Sequence, residues 1–150
     1  MAELLASHEL DVVVDHRLVG LLDEACAAGE RPPSPHTLGH WLSTTPGMVY
    51  LESDDDVLGA RLRLEAWDGD APFVREQWPR TDVIVLDLPS GVLGVDEIAA
   101  GGKSQVFRVP SPGRWNTRVS WRPGIIDADG TSSGPEAWAL VQFWPADAGQ

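Results

Sequence analysis

The sequence predicts an all-β fold, an antiparallel β-sandwich of about seven to nine short strands. Three observations carry this expectation. Several segments alternate apolar and polar residues with a period of two, clusters of Gly, Pro, Asp and Ser punctuate the chain roughly every ten residues, and no long amphipathic helix is required anywhere. With 150 residues, 43% hydrophobic and 23% charged, the chain can bury a core of its own, and residues 1–150 read as a single domain.

Taken in order, Glu9-Leu10-Asp11-Val12-Val13-Val14 reads as a first strand, rich in β-branched valine. Arg17 to Leu22 fits either a second strand or a helical turn leading into Asp23–Ala28. Residues 29–47 carry Pro32, Pro33, Pro35 and Pro46, which rules out a central strand because proline cannot donate to the ladder. This stretch is expected to be a long surface excursion. Met48 to Glu52 is a strand, followed by the acidic turn Ser53-Asp54-Asp55-Asp56. In Val57 to Trp67, Leu62, Leu64 and Ala66 alternate with Arg61, Arg63 and Glu65, and Asp68-Gly69-Asp70 turns the chain.

Thr81 to Leu88 places Ile84, Leu86 and Leu88 on one face, and Pro89-Ser90-Gly91 closes it before the short apolar strand Val92–Val95. Ser104 to Val109 is another strand, ended by Pro110-Ser111-Pro112-Gly113. The clearest alternation follows. Trp115, Thr117, Val119 and Trp121 share a face, so the two indoles lie about 20 Å apart, one towards each end of a core. Pro123 to Pro135 is a loop. Glu136 to Trp144 is apolar nearly throughout, as suits a central strand buried on both sides, and residues 145–150 form a short tail.

Composition narrows the function classes. The chain has 11 basic and 23 acidic residues, a net charge of −12. That opposes direct nucleic-acid binding, which draws affinity from Lys and Arg on phosphates, and favours basic partners or simple solubility. Cys26 is the only cysteine and excludes an intrachain disulfide framework. Met1 to Leu10 lacks the basic and apolar runs of a secretory signal, no apolar run approaches the length of a membrane span, and a cytoplasmic location is expected.

Catalytic motifs are not found. His36 and His40 have a metal-ligand spacing, but prolines and Gly39 break the helix such a pair needs. Ser90 lacks the small flanking residues of a nucleophile elbow and reads as a turn residue. Gly101-Gly102-Lys103-Ser104 lacks the upstream glycine of a phosphate loop, Glu97 standing in its place. The Asp-rich turns lack EF-hand spacing, and tight turns favour Asp and Gly for backbone reasons alone. No metal, cofactor or enzymatic activity is expected.

The order of elements resembles the competence protein J family, whose members inhibit a DNA-entry nuclease. The resemblance rests on Glu9 to His16, on Val49-Tyr50-Leu51-Glu52 with Ala60 to Leu64, and on Val92 to Ile98 and Gln105 to Pro110 leading through Ser111-Pro112-Gly113-Arg114-Trp115 to Trp121. It covers about two-thirds of the chain and implies a small β-sandwich acting as an inhibitor, without assigning binding residues. From the residues themselves, Asp54, Asp55, Asp56, Asp68 and Asp70 flank the two ends of a predicted strand pair and form a candidate face for a basic protein such as a nuclease or toxin. Trp41 and Trp78, outside the cleanly alternating strands, are candidate anchors. Two other readings stay open: a small-molecule or carbohydrate binder using exposed tryptophans, and a hydrolase whose carboxylates meet only in the fold.

Overall fold

The computed structural model describes residues 2–26, 41–53, 55, 57–97, 101–124 and 134–146. Ten strands form two five-stranded sheets: β1 (Leu4–Val14), β2 (Leu18–Asp23), β3 (Leu42–Thr45), β4 (Met48–Glu52), β5 (Leu58–Trp67), β6 (Arg80–Leu88), β7 (Val92–Asp96), β8 (Lys103–Arg108), β9 (Gly113–Pro123) and β10 (Ala137–Pro145). The first sheet has the order β1-β5-β10-β9-β6, the second β3-β4-β2-β7-β8. The architecture is the predicted all-β sandwich. Among the described residues the only helical piece is a 3-10 turn at Arg75–Gln77, and no helix is long and apolar enough to cross a membrane.

Alternation explains the core. Leu58, Ala60, Leu62, Leu64 and Ala66 of β5 and Ala139, Val141 and Phe143 of β10 point inward, beside Trp115, Thr117, Val119 and Trp121 of β9. Small and large residues are set side by side. Ala139 pairs with Trp121, and Ala66 pairs with Phe143, so the rings fill the space that the alanines leave. The second sheet answers with Val19, Leu21, Val49, Leu51, Leu93, Val95 and Phe107, and Phe107 stacks on Phe143 across the sandwich at 6.2 Å.

Four details depart from the sequence-based expectations. Ten strands exceed the predicted seven to nine. β1 begins at Leu4 rather than Glu9, because its largely exposed first half still finds a ladder along β5, where Ser7 faces Glu65 and Glu9 faces Arg63. β5 and β10 run parallel, a pairing between segments far apart in sequence that no local pattern announces. Finally, the proline-rich excursion contains β3, which sits at a sheet edge where proline-flanked strands are tolerated. The ambiguous segment after Arg17 resolves as strand β2, and β10 is central, with β5 on one side and β9 on the other.

Buried acids hold the sandwich together. The Asp23 carboxylate, fully buried at the end of β2, accepts the backbone N–H groups of Ala25, Ser90 and Gly91 and the Ser90 hydroxyl. It thereby ties the second sheet to the turn between β6 and β7, where Ser90 has the turn role expected of it. Glu97 accepts the N–H of Val13 on the edge strand β1 at 2.7 Å and the Lys103 ammonium at 2.9 Å, joining the sheets along another edge. Part of the acid excess is therefore structural, since each of these carboxylates satisfies backbone donors that burial would otherwise leave unpaired.

Candidate protein-binding surface

The outer face of the first sheet is where the basic and aromatic residues gather. Facing out are Arg61, Arg63, Glu65 and Trp67 from β5, Trp138, Leu140, Gln142 and Trp144 from β10, and Arg114, Asn116, Arg118, Ser120 and Arg122 from β9, because each alternates with an inward core residue. Register then sets the neighbours. Trp138 lies between Arg61 and Arg122, and Gln142 between Glu65 and Arg118.

Most of these groups are satisfied within the chain. Glu65 is at the centre: it accepts Arg63 Nε at 2.6 Å, Trp67 Nε1 at 2.9 Å and Gln142 Nε2 at 3.0 Å. Burial alone would push its carboxyl up, but the donations from Arg63, Gln142 and Trp67 outweigh it and hold the group below the usual glutamate range. Arg118 donates to the Ala71 carbonyl at 3.0 Å, to Gln142 at 3.2 Å and to Asp70 at 3.4 Å, and lies over the rings of Phe73 and Trp144. Arg61 pairs with Asp11 at 3.0 Å and Arg114 with Asp87 at 3.4 Å.

Towards the end of the sandwich where β5 and β10 begin, the pattern changes. Arg122 lies 4.6 Å from the Trp78 ring and 5.7 Å from the Trp138 ring, and Arg61 covers Trp138 at 5.5 Å. Beside this Arg61–Trp138–Arg122–Trp78 ridge in sequence, Pro79 and Pro123 help to wall a cavity of about 170 Å³ together with Asp55, Arg80 and Glu136. Asp55 and Glu136 are exposed there. The end thus combines acids with indoles and guanidinium groups, the residue types that dominate protein interfaces.

The predicted site residues separate. Asp55 and Trp78 come to this end together, Asp55 sharing the cavity wall with Pro79, which follows Trp78 in the chain. Asp68 and Asp70 lie at the far end of β5, a strand about 30 Å long. There Asp68 accepts the Glu3 N–H and Asp70 pairs with Arg118. Trp41, half-buried beside the core, donates its indole N–H to Asp82 at 2.8 Å. Asp54, Asp56, His36 and His40 lie outside the described residues. Sequence reasoning missed Arg122, Trp138, Arg61 and Arg118. The signal was present: arginines at 114, 118 and 122 alternate with the core residues of β9, and tryptophans at 138 and 144 alternate with those of β10.

The second sheet presents a different outer face. The Tyr50 ring lies across Gly20 of β2, where a Cβ would come within 2.4 Å of it, and its hydroxyl donates to Asp96 on β7 at 2.5 Å. Burial and the Asp96 carboxylate push the phenol well above the usual tyrosine range. A concavity of about 360 Å³ beside it is walled by Glu24, Met48, Asp96 and Lys103. Glu24 accepts the N–H of Gln105, freed by the bulge in β8. Among the described residues no three His, Cys, Asp or Glu side chains converge as metal ligands.

No protein-family model matches this chain, and no curated protein matches it in sequence. Two solved structures match it in fold. One is Crocagin biosynthetic gene J, with a TM-score of 0.61 and 16% identity, covering 95% of this chain and 99% of that one. The other is ComJ of Bacillus subtilis, an inhibitor of the DNA degrading activity of NucA, with a TM-score of 0.66 and 8% identity, covering 97% of this chain and 99% of that one. The sandwich described above is therefore a fold shared, almost end to end, with both of these proteins.

Proposed function

We propose that this chain is a protein-binding module that inhibits a basic enzyme, a nuclease in the first instance. The observation that carries the reading is the likeness to ComJ over nearly the whole of both chains. The net charge of −12 supports it, because a nuclease presents a basic groove to phosphates and an acidic inhibitor is steered towards that groove. On this reading Asp55 meets the basic partner at the end that carries Trp78, Asp54 and Asp56 add negative charge for the same partner, and Asp68 and Asp70 contribute from a separate patch.

The placement of the tryptophans supports a protein partner over a sugar. Trp115 and Trp121 are core residues, Trp41 and Trp67 are hydrogen-bonded to Asp82 and Glu65, and Trp78, Trp138 and Trp144 each have an arginine on a face. None of them offers the uncommitted stacking platform that a carbohydrate site uses.

The test is affinity capture from an extract of the native host on the immobilised full chain, followed by a DNA-degradation assay of what is retained. The expected result is a DNA-degrading protein whose capture weakens as salt rises. Retention of no such protein at low salt would remove the nuclease reading.

A further inference from the structure

We propose that Arg122, held between Trp78 and Trp138, is the anchor that receives a carboxylate side chain of the protein partner. This rests on the protein-binding reading above and assigns the chemistry of one contact within it. Among the described residues, Arg61, Arg63, Arg114 and Arg118 each have a carboxylate beside them, and Arg17 donates to the Ser53 carbonyl. The Arg122 side chain has no hydrogen bond and no ion pair with any described residue. Its contacts are the two indole faces, at 4.6 and 5.7 Å. Arg75 and Arg108 also lack an acceptor, but both are exposed and no ring lies against them.

This combination has a chemical consequence. Stacking on indoles occupies the faces of the guanidinium and leaves its N–H edge free, the edge that takes a carboxylate through two parallel hydrogen bonds. The half-buried position and the flanking rings fix the fork before binding and lower the ordering cost that a long side chain otherwise brings to an interface. A half-buried guanidinium without an acceptor is also a discriminator, because a partner surface with no acid to offer leaves it desolvated and unpaired.

The flanking charge favours a carboxylate on a protein over a polyanion. Asp55 and Glu136 stand exposed at the same end, and the whole chain carries −12. A nucleic acid or polyphosphate meets repulsion at every approach, whereas a basic protein surface is drawn in by the acids, and the one carboxylate set in it is held by Arg122.

The experiment is an NMR titration of the full-length, isotope-labelled chain with a capped Gly-Glu-Gly tripeptide, its Gly-Gln-Gly counterpart and inorganic phosphate. The Glu peptide is expected to give saturable shifts at the Arg122 Nε–H and at the Trp78 and Trp138 indole N–H signals, with at least about tenfold weaker response to the Gln peptide. Arg122→Lys keeps the charge but loses the fork and is expected to lose the saturable response. Trp78→Ala, in a segment outside the strands, removes one side of the clamp and serves if the lysine variant does not fold. Equal responses to the Glu and Gln peptides, a stronger response to phosphate, or a lysine variant that behaves like the parent would overturn the proposal. A Glu-peptide response without nuclease capture removes the nuclease and keeps the anchor; nuclease capture without that response does the reverse.

Discussion

The outer faces of the two sheets use the same device, an aromatic ring lying against side chains of neighbouring strands, and reach opposite chemical ends. On the second sheet the Tyr50 ring crosses Gly20 and its hydroxyl finds Asp96, so ring and polar group are both satisfied and buried. On the first, the Trp78 and Trp138 rings hold the Arg122 side chain half-exposed, with no acceptor for its guanidinium among the described residues. Burial with complete hydrogen bonding stabilises the fold, whereas a group held in place without a partner is prepared for something else to bind. On the proposed function, the first face is the working surface and the second is structure.

The comparison breaks most directly at Gly20. In Gly20→Ala the new methyl occupies the space of the Tyr50 ring, so the ring must leave or the strands must part. The expected loss is about 3 kcal/mol, the upper end of overpacking, measured by urea denaturation. A variant as stable as the parent would mean that the ring does not cross the strand.

On the first sheet the satisfied part of the face is Glu65. Glu65→Gln puts an amide donor among three donors and is expected to cost about 2 kcal/mol at neutral pH. The sign with pH follows from its lowered pKa. The folded state holds this proton less tightly than the unfolded state, so the contribution is complete above the usual glutamate range and is lost as pH falls through the folded value. The gap between parent and variant should narrow when stability is measured well below about pH 4. A gap independent of pH would show that the carboxylate charge is not what matters there.

Tyr50→Phe keeps the ring over Gly20 and removes only the hydrogen bond to Asp96, for an expected cost of about 1 kcal/mol. Since Tyr50 is the only tyrosine, the phenolate absorbance reports it alone. The native chain should show no phenolate at about pH 10, where free tyrosine is half ionised. Because the folded pKa is raised, the stability this group contributes is present below the unfolded value and declines as pH rises above it. Ordinary titration in the native state would contradict the buried pairing.

The smallest expected effect on stability is at Arg122. Arg122→Lys should change the free energy of unfolding by less than about 1 kcal/mol, the scale of a partly exposed cation–π contact. The contrast with Gly20 sharpens the distinction between a structural face and a binding face. A large loss of stability in the lysine variant would place Arg122 with the structural residues instead.

How much of this was legible in the sequence depended on whether the information was local. The inward faces of β5, β6 and β9 could be read residue by residue, because strand alternation is a property of neighbours in the chain. The parallel β5–β10 pairing could not, since it joins residues 77 apart in the chain and rests on the match of their inner faces, as where Leu62 meets Ala139. The surface followed the same rule. Asp55 and Asp68 look like one acidic face when read along the chain, yet β5 holds them at opposite ends. The ridge was hidden for the converse reason: Trp78, Arg122 and Trp138 come from three separate segments and meet only when β9 pairs with β10 and Trp78 comes against Arg122.

The most direct test of the central claim is inhibition itself. The purified chain is titrated into DNA-degrading activity from the native host at low and at high salt. Stoichiometric loss of DNA degradation is expected at low salt, weakening as salt rises and reduced further in a variant with Asp54, Asp55 and Asp56 reversed to lysine. DNA degradation that continues unchanged at every ratio of chain to nuclease would contradict it.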